Sequence, residues 1–168
     1  LAPMWGTVFP PYNLARLAGV LRHYGYEVTV YDTNIDCYAK VKGTENDDLW
    51  KSQSYYQWDG YARFSKHVLS IIKDELDSVC QNILKDKSDI VGFTIYQTNI
   101  YASFYIMKQI KKINPNIFIV TGGPGVFEDW FAELGENRDL EGEDVSGLID
   151  YRVVGEGEQQ ILTLLENY

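Results

Sequence analysis

Two short glycine-rich runs have the residue types and spacing best suited to ligand binding. They lie at residues 122–125 (GGPG) and 155–158 (GEGE), each just after a segment rich in β-branched residues. Glycine lets the backbone adopt a positive φ and lets a ligand approach the main chain closely. The same glycines also fit a tight turn that binds nothing, since short glycine motifs recur often without a ligand. Both interpretations stay open on the glycines alone.

No nucleotide-binding or catalytic motif accompanies these glycines. The chain has no G-x-x-x-x-G-K-[ST] phosphate loop, and no G-x-G-x-x-G follows a first strand. His23 is predicted near a helix end and His67 on the polar side of a helix, so we interpret both as surface residues. No motif places a base beside a serine or threonine. We therefore expect no catalytic activity from this domain alone.

The cysteines and the acidic residues do not predict a metal site. Cys37 and Cys80 are too few and too far apart for a zinc or iron–sulfur motif. Cys80 falls on an apolar helix stripe, which predicts a core position. Two lone cysteines provide no disulfide framework, which favours a reducing compartment and a cytoplasmic location. The acidic stretch at 128–150 lacks the regular spacing of a cation loop, and we interpret it as a solvated loop.

Charge and hydropathy exclude two classes of partner. The net charge is −9, and no basic face is visible that could neutralise nucleic-acid phosphates. No apolar run approaches the ~20 residues needed to cross a bilayer. We expect neither a nucleic-acid partner nor a membrane partner.

Helical and strand-like patterns alternate along the chain. Apolar residues recur every three or four positions over 13–24, 61–84, 100–113 and 159–166, which predicts helices. Segments rich in β-branched residues predict strands at 27–31, 89–95, 117–121 and 151–154. The pattern indicates an α/β fold, a flavodoxin-like (Rossmann-like) doubly wound parallel sheet of about five strands. Its first strand is expected to be truncated, with its natural place just before Leu1.

Residues 1–168 are expected to form one domain with an irregular insertion at 33–60. Four aromatic residues cluster in that insertion: Trp50, Tyr55, Tyr56 and Trp58. They can form a lid or flank near the strand ends, or pack in the core, since aromatic rings bury large areas wherever they lie.

The predicted topology indicates where a ligand would bind. In an open parallel sheet, ligands lie beyond the carboxyl ends of the strands, in the crevice where the strand order reverses. That rule selects four loops, at 3–11, 96–99, 122–126 and 155–158.

Three segments resemble one known family. The run at 9–34 has a proline-containing loop, a helix of the type L-x-x-L-A-x-x-L-R, a glycine and a strand ending in Asp. The run at 89–126 has D-I-V-G-F-T, a helix ending I-K-K-x-x-P and a strand ending G-G-P. The run at 149–166 has an Asp before G-E-G-E and a short helix. In this order they resemble the cobalamin-binding domain that precedes the catalytic barrel in cobalamin-dependent radical SAM enzymes.

The resemblance implies a base-off cobalamin (vitamin B12) whose nucleotide tail lies beside the sheet and whose corrin ring lies over the strand ends. In the family's pattern, Thr94 takes the Ser/Thr place in the third strand. Gly122 and Gly123 take the paired-glycine place that leaves room for the tail, and Gly155 with Glu156 begins the last loop. The contacts expected on this basis are Met4, Trp5, Thr94, Tyr96, Gln97, Gly122, Gly123, Pro124, Gly155 and Glu156.

Two departures from related patterns refine this expectation. The loop after the expected first strand contains no D-x-H-x-x-G, so no histidine is expected below the cobalt, as in many radical SAM members. The motif C-x-x-x-C-x-x-C is also missing. S-adenosylmethionine and a 4Fe-4S cluster would therefore belong to a radical SAM domain after residue 168. That domain would be the partner within one longer chain, a methyltransferase or cyclase-like enzyme.

Two alternative classes remain open from the sequence: a flavodoxin-like or receiver-like domain that binds another ligand or a partner, and a cobalamin-type fold that has lost cobalamin and serves as a docking module. The chain can be a flavodoxin-like docking or ligand-binding domain that does not bind cobalamin. A receiver domain would show an acidic cluster after its first strand and a late lysine, and a flavodoxin would show a Ser/Thr-rich phosphate loop. Neither pattern is present.

Overall fold

The computed structural model describes residue 7 and residues 11–126 and 146–168. Within them the chain is an α/β protein with a three-stranded parallel sheet. The first half is helical: α1 Tyr12–His23, α2 Thr33–Val41, α3 Tyr55–Trp58, α4 Tyr61–Phe64 and α5 Ser70–Asp86. The second half alternates: β1 Ile90–Thr94, α6 Ile100–Ile113, β2 Phe118–Gly122, β3 Tyr151–Arg152 and α7 Gly157–Asn167.

The sheet has the order β1-β2-β3, and both neighbouring pairs are parallel. Val91 lies opposite Ile119, and Thr94 lies opposite Gly122. The predicted parallel pairing of the two most apolar segments is therefore confirmed. β3 is shorter than predicted, but the amide of Val153 continues the pairing by donating to the Thr121 carbonyl over 2.8 Å.

The described residues contain three strands rather than the five predicted. The sequence predicts a strand over 27–31, yet no strand forms there. A β-strand requires a neighbour that completes its hydrogen bonds. Here the carbonyl of Val28 accepts instead from the Arg22 guanidinium at 2.6 Å. Tyr31 is fixed by its hydroxyl, which donates to Asp86 at the end of α5 over 2.5 Å. The segment is thus held by side chains and not by a sheet.

One face of the sheet carries the main hydrophobic core. Successive residues of a strand point to opposite faces, so Val91 and Ile119 share a face with α5 and α6. Cys80 on α5 lies 3.9 Å from the carbonyl of Ile106 on α6, and both residues are buried. The prediction that Cys80 is a core residue is confirmed.

The opposite face of the sheet carries α7, and α1 packs against α7. Phe118 of β2 packs its ring against Tyr168, which follows α7, with centroids 5.2 Å apart. Arg16 of α1 forms an ion pair with Glu158 of α7 at 2.6 Å, which joins the two helices near their amino ends. The sheet therefore has helices on both faces, and this second face includes the residues of the candidate site.

The insertion at 33–60 is more regular than predicted. It begins with α2, whose start is capped by the Asp32 carboxylate accepting from the Ile35 amide at 3.3 Å. Two 3₁₀ turns, Asp47–Trp50 and Ser52–Ser54, follow before α3. A π-helical turn, Ser65–Leu69, then joins α4 to α5. The short apolar pattern of α2 explains why sequence periodicity does not predict it.

Two of the four clustered aromatic residues belong to the core. Trp58 is fully buried, and its indole N–H donates to the Leu49 carbonyl over 2.9 Å. Its ring packs edge-on against Trp50 at 5.1 Å between centroids, and against Phe64 of α4 at 6.2 Å. Tyr56 is exposed. The two tryptophans thus hold the insertion to the helical layer, which favours core packing over a lid for these rings.

Candidate ligand site at the carboxyl ends of the strands

The loops that follow β1 and β2 are locked together by their backbones. The Ile95 amide donates to the Gly122 carbonyl over 2.7 Å, and the Gly125 amide donates to the Ile95 carbonyl over 2.9 Å. Gly123 has φ +99°, and a Cβ there would lie 2.8 Å from the Ile95 carbonyl oxygen and 3.0 Å from Thr94 Cγ2. The close approach and the positive φ both require glycine at this position. Gly123 therefore serves the packing of two loops, as a tight turn would require.

Gly122 and Gly92 have a different role from Gly123. Gly92, Thr94 and Gly122 are on the face of the sheet that carries α7, because they alternate with Val91, Phe93 and Thr121. Among the described residues, nothing lies within 4 Å of a Cβ built on Gly92, and Gly92 is exposed. A Cβ on Gly122 would meet only Val153, at an ordinary 3.6 Å. We call the surface formed by Gly92, Thr94 and Gly122 the small-residue groove.

The loop after β1 is shaped by one side chain. Asn99 accepts from the Tyr96 amide with Oδ1 and donates to the Thr94 carbonyl with Nδ2, each at 2.8 Å. Tyr96 in turn accepts, through its hydroxyl, from Asn13 Nδ2 at 3.3 Å. Asn13 lies in the first turn of α1, so this contact places the start of α1 beside the end of β1.

The last glycine-rich loop leads into α7. Gly155 has φ +87°, and nothing lies within 4 Å of its Cβ position in the described chain. Glu156 is the exposed N-cap residue, and its side chain makes no capping bond. Gln160 closes the turn by donating to the carbonyls of Val154 and Glu156 at 2.7 and 3.1 Å. Gly155 and Glu156 therefore leave an open, polar rim beside the end of β3.

Most of the residues predicted for a site share this edge of the sheet. The described members are Thr94, Tyr96, Gln97, Gly122, Gly123, Pro124, Gly155 and Glu156. Met4 and Trp5 lie outside the described residues, as does most of the predicted loop at 3–11 and of the acidic stretch at 128–150.

Sequence reasoning missed Gly92 and Asn13, and it included Asn99 only as the last residue of the predicted loop at 96–99. A glycine inside a strand often marks close approach by a ligand or another backbone, so the Gly in I-V-G-F-T is a usable signal. Asn99 precedes a helix, where an asparagine is normally explained as an N-cap. Asn13 has no signal in the sequence, since its contact with Tyr96 spans 83 positions.

Both histidines of the chain lie away from the small-residue groove. His23 ends α1, whose first turn contacts Tyr96 through Asn13, so His23 lies about 15 Å along the helix axis from Asn13. His67 is in the π-helical turn on the α5 side of the sheet. It lines a cavity of about 350 Å³ with Glu45, Ser54 and Ser70.

The described segments contain no cluster of side chains that is typical of a metal centre. No group of three or more His, Cys, Asp or Glu side chains comes together in residues 11–126 and 146–168. Cys37 and Cys80 are both buried, and burial raises the pKa of each thiol to about 12. Over the same residues, no helix has the length and apolar character that a membrane span requires.

No family model, no curated protein and no solved structure matches this chain. The functional argument therefore rests on the residues and on their arrangement at the strand ends.

Proposed function

We propose that this chain is a cobalamin-binding module of a radical SAM enzyme, which holds base-off cobalamin at the carboxyl ends of β1 and β2. The observation that carries the proposal is the small-residue groove of Gly92, Thr94 and Gly122. A long, branched cofactor tail needs a strip of sheet without large side chains. The groove provides such a strip, and it contains Thr94 and Gly122, two residues that the sequence resemblance selects.

The proposed fold is flavodoxin-like. In the flavodoxin strand order 2-1-3-4-5, the three observed strands would be the third, fourth and fifth, and the edge of β1 that pairs with no described strand would adjoin the first. The segment at 27–31 would then belong to the second strand, which explains its β-branched sequence. The crevice of such a sheet lies beyond the carboxyl ends of the first strand and of β1, where the strand order reverses, and Gly92 and Thr94 of the groove lie on β1.

The residues of the site would bind the cofactor mainly through backbone groups. Gly92 and Gly122 leave the strand surface accessible, and the Thr94 hydroxyl can donate to or accept from an amide arm. Tyr96 and Gln97 from the loop after β1 would flank the ring, with Gly155 and Glu156 on the β3 side. When bound, the cofactor would supply cobalt-centred methyl-transfer or radical chemistry to the radical SAM domain, with its S-adenosylmethionine and 4Fe-4S cluster. The chain's own residues bind and orient.

The residues that form the groove are consistent with cobalamin held without an imidazole below the cobalt. Both histidines lie outside the groove, since His23 ends α1 and His67 is on the α5 side of the sheet. The groove itself is formed by small and hydroxyl residues, which suit the amide-rich periphery of a corrin and an extended tail.

The experiment is a spectral titration of the full chain with hydroxocobalamin, comparing wild type with Gly92→Val. The added Cβ meets no described residue within 4 Å and lies on a β-strand, where valine is favoured, so the fold is expected to survive. It fills the groove, and we expect the cobalamin Kd to rise at least about tenfold, which is about 1.4 kcal/mol.

Gly147→Val is the matched control. Its Cβ position is also open and its φ is not positive, but it lies in the 3₁₀ turn Ser146–Leu148 at the amino end of β3. Its Kd should equal that of the wild type. A folded wild type that leaves the hydroxocobalamin spectrum unchanged would overturn the proposal and favour a docking or other ligand-binding domain of the same fold.

A further inference from the structure

Asn99 occupies the N-cap position of α6 but does not cap the helix. Its backbone carbonyl accepts the first helical bond, from the Ser103 amide at 2.9 Å. Its side chain makes no bond to the free amides of the first turn. An asparagine N-cap normally accepts from the second or third helical amide, and this stabilises a helix by about 1 kcal/mol. The side chain of Asn99 is therefore engaged elsewhere, at the expense of its own helix.

The side chain turns back to hold the loop between β1 and α6. Its amide group is used in both directions: Oδ1 accepts from the Tyr96 amide, and Nδ2 donates to the Thr94 carbonyl, each at 2.8 Å. These two bonds define which end of the amide is oxygen, because one partner is a donor and the other an acceptor. Asn99 thus ties the last residue of β1 to the turn that follows it.

The clamped loop is also connected to its neighbours. Ile95, between the two clamped positions, bonds through its backbone to Gly122 and Gly125. Tyr96 reaches Asn13 in α1 through its hydroxyl at 3.3 Å. Loss of the Asn99 side chain would therefore loosen Tyr96 and its contact with Asn13, while the backbone bonds of Ile95 to Gly122 and Gly125 remain.

We propose that Asn99 is a positioning residue for this site: it holds the loop of Tyr96 and Gln97 in one conformation and so sets the affinity of the groove for its ligand. Asn99 departs from the usual pattern of helix capping. Natural sequences tend to break such local rules at functional positions, so the departure is consistent with a role of Asn99 in the site. The effect on affinity rests on the proposed cobalamin function, whereas the hold on the loop does not.

The test compares Asn99→Ala, Asn99→Asp and Asn114→Ala in the full chain. Asn114 is the matched control, because it ends the same helix and its Oδ1 accepts from the Asn116 amide at 3.1 Å, away from the groove. Asn99→Asp keeps an acceptor for the Tyr96 amide but loses the donor to Thr94. Thermal unfolding of each variant shows whether it folds.

The first measurement is hydrogen exchange in the peptide that spans residues 94–99. We expect exchange there to quicken at least about tenfold in Asn99→Ala, to change less in Asn99→Asp and to stay unchanged in Asn114→Ala. Unchanged exchange in a folded Asn99→Ala overturns the proposal, as does an equal increase in Asn114→Ala. If Asn99→Ala does not fold, exchange of the same peptide is compared between Asn99→Asp and wild type, and unchanged exchange there overturns the proposal.

The second measurement is titration with hydroxocobalamin. The Kd should rise about tenfold in Asn99→Ala and remain at the wild-type value in Asn114→Ala. A folded Asn99→Ala that binds as tightly as wild type overturns the positioning role. If the wild type itself does not bind, the cobalamin function fails, and hydrogen exchange alone then decides whether Asn99 holds the loop.

Discussion

Asp150 and Ile119 are joined by two hydrogen bonds that set β3 in register with β2. The Asp150 amide donates to the Ile119 carbonyl over 2.9 Å, and the Asp150 carboxylate accepts from the Ile119 amide at 2.7 Å. The same carboxylate oxygen lies 2.7 Å from Lys111 Nζ of α6. This aspartate begins the segment that ends in the last glycine-rich loop, so its interactions place that loop beside the groove.

Replacing Asp150 by alanine should destabilise the chain. The Ile119 amide would lose its partner, and an unsatisfied, part-buried donor costs about 1–3 kcal/mol. Asp89→Ala is the control, because Asp89 precedes β1 in the same way but is exposed, and its backbone carbonyl accepts from the Phe118 amide. Urea unfolding should show a loss of that size for Asp150→Ala and almost none for Asp89→Ala. Equal stability of the two variants would contradict the role given to the carboxylate.

Gly123→Ala is expected to destabilise far more than Gly25→Ala. Both glycines have positive φ, at +99° and +90°, so alanine strains each by about 1–2 kcal/mol. Only at Gly123 would the new Cβ also press on the Ile95 carbonyl, at 2.8 Å, and overpacking adds about 1–3 kcal/mol. The difference in unfolding free energy between the two variants measures the cost of the contact between the new Cβ and the Ile95 carbonyl. For the same reason a larger residue at 123 would test folding rather than ligand binding, and Gly92 is the better probe of the groove.

Trp58→Ala should be among the most destabilising changes in the insertion. The indole is fully buried, bonds to Leu49 and packs on Trp50 and Phe64, and removing such a side chain costs about 3–5 kcal/mol. Tyr56→Ala, two positions away at an exposed side chain, should change stability by less than about 0.5 kcal/mol. Chemical denaturation gives the unfolding free energy of both variants. A large loss for Trp58→Ala indicates that its ring packs in the core and does not form a lid. A small loss for Trp58→Ala would mean that the insertion does not belong to the core.

Tyr31 should make stability fall at high pH. Burial, and then its hydrogen bond and proximity to the Asp86 carboxylate, raise the pKa of Tyr31 to about 12 from the ordinary value of 10.0. A raised pKa contributes stability that is complete below pH 10 and is lost as the pH rises from 10 through 12. Tyr31→Phe should remove this part of the pH dependence. Urea unfolding at pH 9 and pH 11 measures this loss of stability. An identical loss in wild type and Tyr31→Phe would exclude Tyr31 as the source of the pH dependence.

Both cysteines should resist thiol reagents in the folded chain. Cys37 and Cys80 are buried, and with a pKa of about 12 each is almost entirely in the unreactive thiol form at pH 8. Peptide mapping should show labelling of both in denaturant, and labelling at least about 100-fold slower without it. Rapid labelling of Cys37 in the folded chain would contradict its burial on the inner side of α2.

The sequence by itself determined the elements whose signals are local. The runs that became β1 and β2 are apolar and β-branched over five residues each, so they form strands wherever a core covers them. The periodic helices α1, α5, α6 and α7 were predictable because each carries an apolar stripe. The glycine-rich runs were visible because turns that need positive φ need glycine.

Only the tertiary structure decided which extended segment entered the sheet and what each glycine does. Residues 27–31 have a strand-like sequence, yet a strand exists only where a neighbour completes its hydrogen bonds, and that depends on distant parts of the chain. Gly92 and Gly123 are the same residue type, but one faces open space and the other faces the carbonyl of Ile95. The turning back of Asn99 and its connection through Tyr96 to Asn13 likewise follow from packing between elements, which no local pattern encodes.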